Sequence, residues 1–243
     1  MSLFRGHRAG VTALAAGDGS RDGVLFSGSD DGSCRLWDVR SQKSVNGIAG
    51  HSGEITAVGF AGEHNLVAAC DANLCIYDQR TLRLVAQAAN TGTAVKNIYG
   101  EAEIQALSTR GDFVAYVDED GRLGVSDITD PDGSTRFADS HEALAACVCF
   151  HPDEPVIATG GFDQQVRVWD VATETVSMTA CAEVDDDPSS TRLVNPPFVY
   201  ALDFAPNAEC TVVSGHADGR LMCSSSEGTM CWMGCHDYSI SAL

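Results

Sequence analysis

The chain has 243 residues, and 44% of them are hydrophobic, which is enough to bury a sizeable core in one domain. No apolar run approaches the ~20 residues that a membrane-spanning helix needs. Residues 1–7 also lack the apolar stretch of a secretory signal. The formal net charge of −19 argues against binding to a nucleic-acid backbone, which requires a basic surface. We therefore expect an intracellular protein, cytoplasmic, nuclear or both, that binds neither nucleic acid nor membranes.

The ten cysteines raise the question of disulfides or a metal site. Most of them lie in apolar, strand-like runs, as free buried thiols do in a reducing compartment. The densest group, Cys231, Cys235 and His236, lacks the paired spacing of a structural zinc site. We therefore expect neither a metal nor any other cofactor.

A spacing recurs along the chain: an Asp stands six residues before a Trp, Tyr or Ser. The recurrence every ~40–50 residues is typical of repeat proteins, and for this motif of a propeller. In the first four cases a second Asp follows at once. The five pairs are Asp31/Trp37, Asp71/Tyr77, Asp120/Ser126, Asp163/Trp169 and Asp218/Ser224.

Each repeat predicts four short strands separated by turns. In the first repeat these strands are 11–14, 24–27, 33–37 and 44–48, and Asp30, Asp31 and Gly32 form a tight turn. We expect one domain over 1–243, and an acidic segment with Pro and Ser, 183–190, predicts an exposed loop. The expected repeats are 6–49, 50–90, 91–139, 140–182 and 193–233, with a partial sixth over 234–243.

This pattern resembles the WD-repeat family of β-propellers over essentially the whole chain. The dipeptides Gly6-His7, Gly50-His51, Trp37-Asp38 and Trp169-Asp170 match the family signature. The resemblance implies an all-β propeller of about five four-stranded blades plus the first strand of a sixth, an incomplete ring. A seven-bladed ring would need roughly 300 residues. A truncated form, assembly with another chain and closure as a five-bladed ring all stay open.

Two repeats contain a set of side chains that resembles a hydrolase triad. Because the set recurs in separate repeats and includes a Trp, it resembles the structural tetrad of the family instead. In that tetrad the Asp accepts from the His, the His meets a hydroxyl, and the hydroxyl meets the indole. We therefore expect no enzymatic activity. The two sets are His7, Ser27, Asp31 and Trp37 in the first repeat, and His141, Thr159, Asp163 and Trp169 in the fourth.

The other repeats have incomplete tetrads. Counting four residues back from Asp71 gives Val67 instead of a hydroxyl, and the third repeat lacks both His and Trp. Apolar packing should therefore hold these repeats together more than polar networks do. The tetrad residues that remain, for which we expect structural roles, are His51, Asp71, Asp120, Ser214 and Asp218.

The most specific functional signal is an Arg two residues after the Asp in two successive repeats, Arg40 and Arg80. These Asp-x-Arg boxes are similar to those of WD-repeat substrate receptors for cullin-4 ubiquitin ligases, in which the Arg contacts the adaptor, damaged-DNA-binding protein 1. Solvated arginines with local turn contacts would be an ordinary alternative. The resemblance implies a non-enzymatic protein–protein interaction scaffold, with a substrate receptor as one form of it. The charge of −19 suits a second form, a reader of basic peptides such as histone tails.

Overall fold

The structure of the chain, a computed structural model, describes residues 4–82, 96–99, 101–130, 134–181, 196–205, 211–225, 228–234 and 239–242. The expected acidic loop at 183–190 and the pair Cys235 and His236 lie outside these residues. Within them, no helix is long and apolar enough to cross a membrane. The chain divides into two compact units, one of residues 1–114 with 125–134 and the other of residues 115–124 with 135–243.

The described residues form five four-stranded sheets, each built from consecutive strands. This confirms the predicted all-β propeller class. Sheet one contains β1 (Val11–Ala16), β2 (Val24–Ser29), β3 (Cys34–Asp38) and β4 (Lys43–Ile48). Sheet two contains β5 (Ile55–Ala61), β6 (Asn65–Cys70), β7 (Asn73–Asp78) and β8 (Lys96–Tyr99). Sheet three contains β9 (Ile104–Arg110), β10 (Phe113–Asp118), β11 (Arg122–Asp127) and β12 (Ser134–Ser140).

The remaining two sheets lie in the second unit. Sheet four contains β13 (Ala145–Phe150), β14 (Val156–Gly161), β15 (Gln165–Asp170) and β16 (Thr175–Cys181). Sheet five contains β17 (Val199–Phe204), β18 (Val212–His216), β19 (Arg220–Ser225) and β20 (Gly228–Gly234). Two short 3-10 helices, at Gly19–Arg21 and Gln79–Thr81, follow β1 and β7. Sequential order arises because short turns, several of which contain Gly or Asp, join most consecutive strands within a sheet; the connection between β7 and β8 is longer.

Neighbouring sheets pack by placing a branched side chain on a glycine. In the first unit Ile55 of β5 lies against Gly28 of β2, where a Cβ would collide with it. Val199 of β17 occupies the same position against Gly160 of β14 in the second unit. Both branched side chains are fully buried. Their fit explains why glycine recurs in the second strand of a sheet: only a residue without a side chain lets the strands approach this closely.

In the expected sixth repeat, Gly234 is the last residue of β20, and residues 239–242, the rest of its described part, form no strand. Ile240 nevertheless packs against Gly215 of β18, as Val199 packs against Gly160. Its backbone N–H donates to the carbonyl oxygen of His216 at 3.1 Å. The contact between a branched side chain and a glycine is therefore repeated at the end of sheet five.

Candidate functional site

The tetrad of sheet four is a continuous chain of hydrogen bonds. Both carboxylate oxygens of Asp163 lie 2.9 Å from Nδ1 of His141, so that nitrogen carries the hydrogen. In a neutral imidazole Nε2 then accepts from the Thr159 hydroxyl at 2.8 Å. That hydroxyl in turn accepts from Nε1 of Trp169 at 2.7 Å. The chain satisfies three polar groups of the sheet interior, where an unpaired group would be costly.

The tetrad of sheet one contains an additional hydroxyl. Ser27 bonds to Nε2 of His7 at 2.7 Å and accepts from the Trp37 indole at 2.7 Å, as Thr159 does in sheet four. On the other side of the imidazole, Nδ1 lies 3.1 Å from the Ser33 hydroxyl, which donates to Asp31 at 2.5 Å. The direct distance from Nδ1 to Asp31 is 3.6 Å. Ser33, which the sequence did not single out, therefore links Asp31 to His7.

These contacts determine which tetrad side chains are charged at neutral pH. Burial alone would raise the pKa of Asp31, but the bonds from Ser33 and from the backbone N–H of Arg8 outweigh it and bring the pKa to about 2. Burial also opposes ionisation of Asp163, and the hydrogen bond from His141 nevertheless holds its pKa below the ordinary value. Burial lowers the pKa of His7. Both aspartates are therefore ionised at neutral pH.

In sheet two the imidazole is hydrogen-bonded without a hydroxyl on the second strand. Its β6–β7 hairpin is one residue shorter than the hairpin of sheet one, because Leu66 pairs with Tyr77 where Leu25 pairs with Trp37. Counting along the strands places Ala68, not Val67, at the position of Ser27. The Tyr77 hydroxyl reaches Nε2 of His51 directly, at 2.7 Å.

The expected partners of sheet two have separate contacts. Nδ1 of His51 lies 2.9 Å from the carbonyl oxygen of Gly32, to which it donates. Asp71, at the left-handed φ of 52° in the hairpin turn, accepts from the Ser52 hydroxyl at 2.8 Å. The structure therefore gives His51 and Asp71 different partners. Burial lowers the pKa of His51, which keeps the ring neutral at pH 7.

Sheet five takes its histidine from within the sheet. Ser214 of β18 bonds to Nε2 of His216 at 2.9 Å, and Nδ1 of that ring donates to the Pro197 carbonyl at 3.0 Å. Ser214 and His216 are two positions apart on one strand and therefore share a face. This i, i+2 spacing is the signal by which the sequence could have revealed His216. Asp218 forms an ion pair with Arg220 at 2.5 Å.

Sheet three has neither the His nor the Trp of a tetrad. Asp120 pairs with Arg122 at 3.3 Å, across an exposed turn. Ser126, at the position of Trp37, shares a hydrogen bond of 2.9 Å with Ser134. The Tyr116 ring covers Gly124, where a Cβ would collide with it. Aromatic packing thus replaces the polar chain in this sheet.

The second Asp of each motif, the one that follows the Trp or its equivalent, has a common structural role. In four sheets its Oδ1 accepts from the backbone N–H two residues later, which forms an Asx turn. This bond holds the turn after the third strand, and it sets the backbone of the residue that is Arg in the first two sheets. The pairs are Asp38 and Arg40 (2.8 Å), Asp78 and Arg80 (2.9 Å), Asp127 and Thr129 (2.8 Å), and Asp170 and Ala172 (2.8 Å).

The two predicted partner-binding arginines differ in their side-chain contacts. Nε and Nη2 of Arg80 donate to the two carboxylate oxygens of Asp78, at 3.0 and 2.6 Å. These bonds bring the pKa of Asp78 to about 2 and raise that of Arg80. Arg40 is also exposed, and its guanidinium makes no hydrogen bond or ion pair with any residue that the structure describes. It lies beside Gly23 and next to Val39, which is 40% exposed.

Loop contacts in the first unit join the two Asp-x-Arg turns. The N–H of Val39 donates to Gly23 O at 2.9 Å, and the N–H of Gln79 donates to His64 O at 2.8 Å. Between them, the Arg21 guanidinium bonds to the carbonyl oxygens of Gly62 and Asn65. We name residues 21–23, 38–41, 62–65 and 78–81 the Asp-x-Arg surface. A pocket of about 530 Å³ opens beside it, and Arg21 and Gly62 are among its lining residues.

The tetrad side chains are arranged neither as an activated nucleophile nor as a metal site. The hydroxyls of Ser27 and Thr159 are buried, and each is engaged by both an imidazole and an indole. Among the residues whose side chains are described, no three His, Cys, Asp or Glu come together as a metal site would require. The buried polar chains therefore stabilise the sheets, whereas the exposed turns are accessible to a partner.

The architecture and the repeated tetrads define a β-propeller of the WD type, and comparison with known proteins agrees. The family model WD40 (WD domain, G-beta repeat) matches residues 1–38, 42–78 and 131–170. The computationally designed Ika8 protein shares the fold, with a TM-score of 0.73 and 21% identity over 98% of this chain and 65% of that one. These matched residues are WD40 repeats, and the chain shares the fold of a WD-repeat β-propeller.

Curated relatives show how far this similarity extends. The WD repeat-containing protein 53 homolog of Dictyostelium discoideum is 23% identical over 230 residues, 87% of this chain and 61% of that protein. Pre-mRNA-processing factor 19 of Bos taurus is 25% identical over 174 residues, 70% of this chain and 33% of that protein. The chain thus spans less than two thirds of the length of either relative. Proteins with WD40 repeats are generally non-enzymatic, and the similarity to them implies a protein–protein interaction scaffold.

Proposed function

We propose that the chain is an interaction scaffold whose Asp-x-Arg surface binds the adaptor of a cullin-4 ubiquitin ligase, damaged-DNA-binding protein 1. The observation that carries the proposal is the exposed Arg40, whose guanidinium makes no hydrogen bond or ion pair with a described residue. A planar guanidinium that stays charged can donate several hydrogen bonds to carboxylate or carbonyl groups of a partner. Desolvating this guanidinium therefore breaks no hydrogen bond to any residue that the structure describes.

The backbone of the turn supports the same role. The Asx bond from Asp38 to the N–H of Arg40 fixes where the side chain leaves the surface. The exposed Val39 beside it adds apolar area to a polar contact, a combination common in binding sites. A fixed turn lowers the entropy lost when a partner binds.

Arg80 is less available to a partner than Arg40, because its guanidinium is already bound to Asp78. Its side chain is 66% exposed, and exposed ion pairs contribute little to stability, since water screens them. A partner carboxylate can therefore compete for Arg80, but binding it would break the existing ion pair with Asp78. We expect Arg40 to contribute more to binding than Arg80.

A pull-down against the purified adaptor tests the proposal. The wild-type chain should capture the adaptor, and the double variant Arg40→Ala with Arg80→Ala should lose it while circular dichroism shows an unchanged fold. Arg5→Ala removes another exposed arginine of the first unit and is the matched control. Capture by the double variant at the wild-type level would refute the role of these turns.

A second candidate function is the reading of basic peptides, favoured by the net charge of −19. Long-range attraction between unlike charges is screened by salt, so such binding should weaken steeply as ionic strength rises. Binding of a basic peptide that is independent of salt would count against this candidate.

A further inference from the structure

Three aromatic rings gather at the surface of the second unit. Phe162, in the β14–β15 turn, and Phe198, just before β17, are stacked with centroids 4.8 Å apart and planes at 16°. Tyr200 of β17 meets Phe162 edge-on, with centroids 5.4 Å apart and planes at 86°. Tyr200 is 37% exposed, and both phenylalanines are partly exposed. We name these three side chains the aromatic platform.

Backbone hydrogen bonds hold the platform in place. The carbonyl oxygen of Phe198 accepts from the N–H of Ala217 at 2.9 Å, and the preceding carbonyl, of Pro197, accepts from His216. The N–H of Phe162 donates to Leu144 O at 2.8 Å. The rings therefore project from anchored backbone, so a ligand would not have to order them on binding.

An acidic residue is hydrogen-bonded through its backbone to the turn that carries Phe162. Glu142 is exposed, and its backbone N–H donates to Asp163, the residue that follows Phe162, at 3.2 Å. The Glu142 carboxylate has no hydrogen bond or ion pair with any described residue. The nearby Arg167 already has partners, since it bonds to Gln165 and to Ser140 O. Arg167 is therefore engaged elsewhere and does not compete for Glu142.

We propose that the aromatic platform docks an arginine side chain of a basic peptide, with Glu142 as its counter-ion. A guanidinium plane stacks on an aromatic face, where the ring quadrupole attracts it. Because Phe162 and Phe198 are in contact with each other, nothing fits between them, and the arginine lies on the exposed side of the platform. This inference rests on the second candidate function and names its site.

A fluorescence-anisotropy titration tests the inference, with a labelled Gly-Arg repeat peptide as the probe and its Gly-Gln counterpart as the neutral control. Tyr200→Leu keeps apolar volume but removes the π face, and it should weaken binding roughly threefold to tenfold. Phe113→Leu is the matched control, because Phe113 is a similarly exposed aromatic (44%) of the first unit. It should bind like the wild-type chain.

Glu142→Gln supplies an independent variant that leaves every ring in place. It should weaken binding of the arginine peptide and reduce its salt dependence, with the thermal unfolding curve unchanged. Salt-dependent binding that neither Tyr200→Leu nor Glu142→Gln alters would overturn the platform and leave the peptide-reading function standing. A folded wild-type chain that binds neither peptide would overturn both. Adaptor capture should be the same in Tyr200→Leu and wild type, since Arg40 and Arg80 are intact.

Discussion

Replacing Thr159 by Val tests the polar chain of sheet four most severely. Valine keeps the shape of the side chain but removes a hydroxyl that is fully buried and serves two groups. The indole N–H of Trp169 and Nε2 of His141 would each be left without a partner. An unsatisfied buried polar group costs roughly 1–3 kcal/mol, so we expect the free energy of unfolding to fall by about 2–4 kcal/mol.

Urea unfolding, followed together with hydrogen exchange of the amides in 156–170, measures this loss. Thr179→Val makes the same substitution at an exposed position of β16 and should change stability by no more than about 0.5 kcal/mol. The double variant with Trp169→Phe removes the indole donor as well, so the two losses should overlap by about 1 kcal/mol. A Thr159→Val loss below about 0.5 kcal/mol, or strict additivity with Trp169→Phe, would refute the claim that the Thr159 hydroxyl links the imidazole to the indole.

Two further predictions concern pH and sheet packing. Burial lowers the pKa of His7, His51 and His216 below 6.5, so the unfolded chain binds more protons than the folded one below that pH. The free energy of unfolding should therefore be highest above pH 6.5 and fall as the pH falls below it, by at most about 1.4 kcal/mol per pH unit for each ring. Urea titrations between about pH 7.5 and about pH 5.5 measure this, and a flat profile would contradict it. Gly160→Ala should destabilise the second unit by about 1–3 kcal/mol in the same assay, because the new Cβ meets Val199. Val199→Ala in the same chain should recover part of that loss, and full additivity of the two losses would argue against the packing contact.

The fold was predictable because the repeat spacing reflects fixed strand and turn lengths. An Asp in the second turn and an aromatic residue at the end of the third strand recur together only if the intervening hairpin keeps its length. Counting back from the Asp fails in the second repeat, because one residue fewer lies between the second strand and Asp71 than before Asp31. Ala68, not Val67, therefore corresponds to Ser27. Strand pairing determines which residues of two repeats occupy equivalent positions, and it cannot be read directly from the sequence.

The side-chain partners were less predictable than the strands. Ser33 and His216 complete polar chains from positions outside the family motif, since any nearby hydroxyl or imidazole can supply a missing hydrogen-bond partner. The two Asp-x-Arg boxes are alike in sequence, but the side chain of Arg80 folds back on Asp78 and that of Arg40 does not. The difference lies in the side-chain rotamer, and a sequence motif does not specify the rotamer of an exposed arginine.

Calorimetric titration of the purified adaptor into the wild-type chain, Arg40→Ala and Arg80→Ala tests the central claim most directly. Charge-assisted hydrogen bonds are worth about 1.5–3 kcal/mol, so Arg40→Ala should weaken binding about tenfold or more. Arg80→Ala should weaken it less, because Arg80 must first leave Asp78. Wild-type affinity in Arg40→Ala, or no binding by a folded wild-type chain, would contradict the proposed function.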